Sequence, residues 1–570
     1  MNNNEIQDIL IELEFENVID SQNPILRERG LDFGFTFTTT IADINCNFLI
    51  GFKKNFPLSL PQYFIANYDT YEFIPHIEED GRICYTQDDY LFIDIERPGD
   101  VIQETLGKAK ETVRQGLQKE NLTDFTDEIE AYWSRIKGNE KVYFNGLISS
   151  EVTELKIGAG KGGKLIVTDQ SEYLQSSKRF FNIGDGGFTF QNGIYVPLQN
   201  NNLIIPPRYN NAITIKYVHD LINNNVSETG LEKIKKFTNR PSKAQEYVIF
   251  SIVRKGGISS LFGVKFSNMD RVLHPLYSTD FHGKITPISI TRLDKEYLYR
   301  RGSNGIRYDK KGIVIGGGSI GGFIMEELVR NGFFNLTVVD GDSISVDNCY
   351  RHLVGFSFIG KNKADAIKEY LEKKFPHSNI KAEKKEVQYL IDQNQIVFSD
   401  YDFVIVATGN VTINIYLNSL LNRADLTIPV LFSWNDPYGI GGHCLVTNIQ
   451  RIGCYKCLYS NERKMNSASF ADPEQTKTFL KNASGCGTFF TPYASADSTQ
   501  TSLMTVRKLI DSFSDSNEQN AIYSWKGKPD IFLNEGYKLS NRFLMSELEL
   551  EEKKNQFVDP NCNTCHHLQK

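Results

Sequence analysis

The sequence predicts an α/β protein in three parts, with a doubly wound, largely parallel sheet in residues 301–570. Three observations predict it. Apolar strand segments alternate with helical ones throughout that region, the pattern of parallel sheets with crossover helices. A glycine-rich turn there stands between an apolar strand and an amphipathic helix, the context that a nucleotide-binding turn requires. The length of 570 residues is too great for one core, so about three domains are expected.

Residues 1–145 read as α+β. They open with an amphipathic helix (Ile6, Ile9, Leu10, Leu13), pass through strand-like Phe35-Thr-Phe-Thr and Asn47-Phe-Leu-Ile-Gly, and end in helices around 101–117 and 125–136. Residues 146–300 are short strand candidates separated by Gly, Asn and Pro, with polar tracts at 199–202 and 223–225, and read as a β-rich linker or support domain. In residues 301–570 the strands fall at 312–315, 335–340, 402–408 and 429–434, with helices near 319–331 and 363–374.

Net charge is -7, from 63 basic and 70 acidic residues, and neither sign forms a long block. That argues against nucleic acid or an anionic membrane as the main partner. No basic leader precedes an apolar stretch at the N-terminus and no segment reaches 18 apolar residues, so a cytoplasmic protein is expected. Nine cysteines in so large a chain do not read as a disulfide scaffold, and their spacing is read for metal and thiol chemistry.

The nucleotide candidate begins at Gly316-Gly-Gly318-Ser-Ile-Gly321, a G-x-G-x-x-G turn after an apolar strand and before a helix. The next strand ends in Asp340, where a ribose hydroxyl would bind. On the glycine motif alone a nicotinamide-dependent oxidoreductase is the default. A second glycine run, Gly158-Ala-Gly-Lys-Gly-Gly163-Lys164, fits G-x-x-x-x-G-K, but Leu165 stands where a phosphate loop needs Ser or Thr, so a β-turn is expected.

Two C-x-x-C pairs, Cys454/Cys457 and Cys562/Cys565, suit a tetrahedral structural Zn²⁺. Redox pairs and core cysteines are the alternatives, and His566 or His567 could replace a ligand. Cys486, in Ser484-Gly-Cys-Gly487, has flanking glycines that would let a carbonyl approach. As a thiolate it would hold an acyl group at thioester energy. Cys46, Cys349 and Cys444 lack comparable settings and read as structural.

Beyond Gly321, the run Asp340-Gly-Asp342 through Asn348 and Arg351 to Lys363 resembles the adenylation domain shared by ubiquitin-activating enzymes and bacterial sulfur-carrier adenylyltransferases. The resemblance implies a Rossmann-like domain in which Asp340 binds the ATP ribose while Asn348, Arg351 and Lys363 contact its phosphates. Attack of a carboxylate on the α-phosphate needs cations, and Arg351 and Lys363 would supply them. Hydride transfer has no such requirement. The family usually carries an aspartate for Mg²⁺ after the next strand, where this chain has Gly409. Either another acid and the ATP phosphates hold the Mg²⁺, or the site is weakened. Related enzymes insert an arginine from the partner subunit of a homodimer, which makes Arg300 and Arg301 candidates, and they often carry a Cys₄ zinc site.

In the first domain Asn55-Phe-Pro57 through Pro61, then Pro75-His76 through Gly81 to Cys84, resembles the ubiquitin-conjugating enzyme core, with Cys84 in the thioester position. Ile77 stands where that family has an oxyanion-supporting asparagine. Together the two ends resemble the fused conjugating-and-activating enzymes of bacterial anti-phage CBASS operons. What this implies is a relay: ATP and a protein C-terminal carboxylate give an acyl-adenylate, Cys486 takes the acyl group, Cys84 receives it, and a target amine is acylated. The donor would be a cyclic-nucleotide-producing nucleotidyltransferase or a ubiquitin-like protein. A non-catalytic scaffold and an oxidoreductase remain the alternatives from other classes.

Overall fold

A computed structural model describes the chain except for residues 2, 14, 87–93, 160–164, 169–170, 184–188, 200–201, 269–272, 278–280, 301–307, 425, 449–450, 460–464, 466–467, 483–488, 515–518 and 566–570. It divides into two compact units, 1–170 with 186–292, and 171–185 with 293–570. Among the described residues no helix is long and apolar enough to cross a membrane.

The first unit contains two kinds of core. Its N-terminal part is a four-stranded antiparallel sheet of Glu16–Asp20, Phe33–Ile41, Ile44–Phe52 and Gln62–Ile65 in that spatial order. Ala42 and Asp43 both take positive φ between the second and third strands, which matches the right-handed strand twist in a two-residue hairpin. The helix Pro98–Leu117 buries Ile102, Leu106, Ala109 and Val113 at helical spacing. They pack with Phe35, Phe48, Ile50 and Tyr63. The Ile, Leu, Val and Phe side chains among them each contribute about 1.5–3 kcal/mol on burial. The helix expected around 125–136 is broken into Asp124–Asp127 and Ile129–Arg135.

The rest of the first unit is a closed barrel of Glu140–Phe144, Thr153–Ala159, Leu165–Thr168, Thr189–Leu198, Gln245–Val253, Ser259–Ser267 and Lys284–Arg292. Closure removes the exposed edges that short strands would otherwise present. Trp133 is buried against it, its indole N–H donating to the Gly263 carbonyl at 2.9 Å. The strands on either side of the second glycine run, Thr153–Ala159 and Leu165–Thr168, pair antiparallel; residues 160–164, where the β-turn is expected, lie outside the described ones.

The second unit is built on a seven-stranded sheet. Its spatial order is Asn379–Glu383, Asn335–Val339, Lys311–Ile315, Phe403–Val406, Pro429–Asn435, Gly441–Asn448 and Ala521–Lys526. The first five run parallel, Gly441–Asn448 runs antiparallel to them, and Ala521–Lys526 pairs antiparallel with Gly441–Asn448. The chain runs outward in one direction from Lys311–Ile315 and in the other from Phe403–Val406. That reversal leaves a crevice at the strand carboxyl ends, where such sheets bind ligands. The helix Ser319–Arg330 covers one face beside Ser495–Ser514, which buries only small polar residues on its first three turns, Ser498, Thr501, Ser502 and Thr505. The helix Ser171–Phe181 belongs to this unit, with Arg179 paired to Glu372 at 2.9 Å and donating to the Ser378 carbonyl at 2.8 Å.

Candidate functional site

The glycines at the crevice have separate physical reasons. Gly316 has φ +96°, and a Cβ there would lie 2.6 Å from the Ala407 carbonyl oxygen. A Cβ on Gly321 would lie 1.8 Å from the Gly316 oxygen, so the helix can start this close to the strand only with glycine. Gly318 faces open space, with nothing within 4 Å of a Cβ. It opens onto a cleft of about 620 Å³ lined by Asn348, Arg351, Lys363, Asn414 and Trp434 among others. A helix N-terminus facing such a space favours phosphate.

Asp340 follows the strand Asn335–Val339 and borders a second hollow of about 260 Å³ together with Gly316 and Asn410. Its Oδ2 accepts from Gly317 N at 2.8 Å and its Oδ1 from Asp342 N at 2.9 Å. Burial raises its pKa, with Lys363 and the two N–H donors opposing the rise. Asn362 joins the acidic strand end to the next helix. Its Nδ2 donates to the carbonyls of Asp340 at 2.9 Å and Asp342 at 3.0 Å, while its Oδ1 caps Lys363–Lys374. This cap sets Lys363 on the cleft, Nζ 2.8 Å from Asp342 Oδ2.

Asn348 accepts from Ser345 N at 3.2 Å, which closes a short turn, and its carbonyl accepts from Arg351 N at 3.0 Å. The Arg351 guanidinium lies over the Tyr493 ring, 5.7 Å from its centroid. His352 is a contributor that the sequence reading missed. Its Nε2 bonds the Gly317 carbonyl at 2.6 Å and its Nδ1 accepts from Val354 N at 3.2 Å, an arrangement that assigns the proton to Nε2. Burial, opposed by the Gly317 carbonyl and reinforced by Lys363 and Arg351, lowers its pKa and so favours the neutral imidazole.

Gly409 has φ +68°, a left-handed conformation, and Asn410 after it caps Val411–Arg423. Among the residues lining the larger cleft, Asp342 is the carboxylate. Its side chain is 70% exposed, so a cation could reach it with water and phosphate oxygens completing the shell.

The four paired cysteines converge. All are buried, and their sulfurs lie within 4.8 Å of one another. Separations are 4.0 Å for Cys454–Cys457, 3.7 Å for Cys454–Cys562 and 3.5 Å for Cys457–Cys565. A disulfide needs about 2.05 Å, whereas a tetrahedral zinc with bonds of about 2.3 Å spaces its sulfurs about 3.8 Å apart. Asn418 Nδ2 and Cys454 N each reach a sulfur at 3.4 Å, the outer donors that thiolate ligands take. His566 and His567 lie outside the described residues.

At the other candidate centre, Cys84 is half-buried beyond a tight turn. Its N–H donates to the His76 carbonyl at 2.8 Å, and Gly81 has φ +83° with a Cβ position 2.3 Å from the Ile65 oxygen. His76 itself has φ +64° and is paired with Asp124 at 2.9 Å. Ile77 is buried in the N-terminal core. The Cys84 thiol donates to Glu78 Oε1 at 3.2 Å. Burial, followed by the Glu78 charge and hydrogen bond, pushes the Cys84 pKa up to about 11.

Cys486 lies outside the described residues, as does Arg301. Phe490, Thr491 and Tyr493, just after Cys486 in the chain, line the larger cleft. Arg300 is exposed at the end of the helix Lys295–Arg300 and is not part of the lining of either cleft. Cys46 and Cys444 are buried, and burial raises the Cys444 pKa to about 12.

Residues 306–526 match the ThiF family and residues 34–142 the prokaryotic E2 family B. The chain is an enzyme that joins an E2-like domain to an E1-like, ATP-using adenylation domain of the ThiF type. It is 23% identical over 457 residues to an ATP-dependent ubiquitin transferase-like protein Cap2 of Pseudomonas aeruginosa, covering 77% of this chain and 79% of the relative. A protein of the same description from Escherichia coli is 24% identical, over 58% of this chain and 56% of the relative. The NEDD8-activating enzyme E1 catalytic subunit of Dictyostelium discoideum is 29% identical over 21% of this chain and 26% of its own length.

Proposed function

We propose that the protein activates a protein C-terminal carboxylate with ATP, carries the acyl group as a thioester on Cys486 and then Cys84, and joins it to a target amine. The observation that carries this reading is the gathering of Asn348, Arg351 and Lys363 around the open face of Gly318, with Asp340 beside the same turn. ATP laid over the turn would bond its ribose to Asp340 and extend its phosphates along the helix N-terminus. The carboxylate attacks the α-phosphorus and pyrophosphate leaves. Arg351 and Lys363 offset the charge that accumulates there. Asp342 is the residue that would hold Mg²⁺, which neutralises phosphate charge when bound. The cysteine quartet would hold Zn²⁺ and tie Cys562 and Cys565 of the C-terminal segment to Cys454 and Cys457.

The chain is read as three domains, 1–145, 146–300 and 301–570, in a cytoplasmic homodimer. Separate cores in the N-terminal sheet and in the barrel support two domains within the first unit, with Trp133 and Glu140–Phe144 packed in the barrel part. The similarity to ATP-dependent ubiquitin transferase-like Cap2 proteins supports ATP-dependent protein conjugation, and the resemblance of the two ends of the chain to fused conjugating-and-activating enzymes makes a cyclic-nucleotide-producing nucleotidyltransferase of antiviral defence the first donor to test. The similarity to a NEDD8-activating subunit supports a ubiquitin-like donor as the second reading. Arg300 or Arg301 would reach across the dimer.

The test of activation is carboxylate-dependent exchange of labelled pyrophosphate into ATP with each candidate donor. Exchange is expected from the wild type, with a loss of about a hundredfold or more in Lys363→Met and Arg351→Gln. Exchange unchanged in both variants would overturn the assignment.

A further inference from the structure

The E2-like centre lacks the asparagine expected after His76, and its place is taken by buried Ile77. A different set of donors stands beside Cys84. Glu78 Oε1, the oxygen that accepts the thiol at 3.2 Å, also receives Arg135 Nη2 at 3.1 Å and Arg82 Nη1 at 3.4 Å. Arg29 takes the other oxygen at 2.7 Å, and Asp80 shares its charge at 2.6 Å. Among the described residues Glu78 is the carboxylate that meets both Arg82 and Arg135, and in this cluster three guanidiniums, of Arg29, Arg82 and Arg135, stand against two carboxylates, Glu78 and Asp80. Burial opposes ionisation of Glu78, but Arg135, the thiol, Arg29 and Arg82 outweigh it and hold its pKa below the usual value.

We propose that Arg135 and Arg82, gathered on Glu78 beside Cys84, stabilise the oxyanion formed when Cys84 gains or loses an acyl group. This rests on the reading of Cys84 as an acyl carrier. When an acyl group reaches the thiolate, a bond forms between Cys84 Sγ and the carbonyl carbon, and the carbonyl π pair collects on oxygen. The bond to the leaving group then breaks, and the thiol proton has passed to solvent. An acylated sulfur has no proton to donate, so Glu78 Oε1 loses one of its three donors while the arginines keep theirs. Guanidinium groups held on the same carboxylate oxygen that the Cys84 thiol meets are the charge that the oxyanion needs. Glu78 is a positioning residue: it fixes both arginines and disfavours the free thiolate in the resting protein.

The experiment compares two reactions of Cys84 in the full-length protein, each followed by mass spectrometry of the Cys84 peptide. Acylation by 4-nitrophenyl acetate passes through an oxyanion, and alkylation by iodoacetamide does not. Their rate ratio reports oxyanion stabilisation separately from thiolate content. The ratio is expected to fall about tenfold or more in Arg135→Gln and in Arg82→Gln. Arg135→Lys, which keeps the charge, should restore part of it and covers the case in which the Gln variant does not fold. Glu78→Gln should speed alkylation at neutral pH, because the anion opposing the thiolate is gone. A ratio unchanged in the arginine variants, with both rates moving in parallel, would overturn the proposal. It would leave Cys84 as an acyl carrier untouched, since that reading fails only if Cys84→Ala still passes acyl groups to amines.

Discussion

The Gly321 α-carbon sits so close to the Gly316 carbonyl that a Cβ on it would lie 1.8 Å from that oxygen, whereas two residues into the same turn Gly318 faces empty space. The first relationship is packing between helix and strand, and the second is room for a ligand. Gly321→Ala is expected to destabilise the C-terminal unit by about 1–3 kcal/mol or more through overpacking. Gly318→Ala should leave the melting temperature nearly unchanged and weaken ATP binding. Thermal denaturation and nucleotide titration of the two variants check this, and equal effects on both readouts would contradict it.

The cysteine quartet predicts about one zinc per chain by elemental analysis. Cys454→Ser or Cys562→Ser should release it and lower the melting temperature, because three buried thiolates then repel one another without a cation. Stripping with a chelator should act in the same direction on the wild type. A metal-free, equally stable wild-type protein would count against the site.

The barrel carries a pH-sensitive charge. Glu246 is fully buried, bonded by Arg240 at 2.5 and 2.9 Å and by Lys243 N at 2.8 Å. Burial raises its pKa, but the Arg240 bonds, His274 and the Lys243 N–H outweigh that and lower it to about 2. Its folded pKa lies below its unfolded one, so its stabilisation is present above the ordinary carboxylate range and is lost as pH falls from about 4.5 toward 2. Glu246→Gln should thus be less stable than wild type at pH 7, with the difference shrinking as pH falls. Denaturant unfolding at a series of pH values measures it, and a constant difference would contradict the assignment.

The cleft at the glycine turn was legible because its parts lie in one αβ unit. The turn at 316–321, the acid at 340 and the lysine at 363 are fixed by local strand and helix geometry, and the helix expected over 363–374 begins and ends at Lys363–Lys374. The convergence of the four cysteines was legible for another reason: C-x-x-C pairs carry their geometry with them, even 108 residues apart. What escaped the sequence reading depends on distant chain. Glu78 gathers Arg29, Arg82 and Arg135 from three elements, and no periodicity connects them. The barrel closes by parallel pairing of Glu140–Phe144 with Lys284–Arg292, a register set by packing across the barrel rather than by any turn between them. Asn362 and His352 looked like ordinary polar residues, because their value lies in the backbone groups they meet.

The most direct measurement of the relay is incubation of the full-length protein with ATP, Mg²⁺ and a candidate donor protein, followed by gels run with and without thiol reductant. A relay through the two cysteines gives a reductant-sensitive adduct in the wild type, trapped before Cys84 in Cys84→Ala and absent in Cys486→Ala. Adducts that resist reductant, or that persist unchanged in both variants, would contradict it.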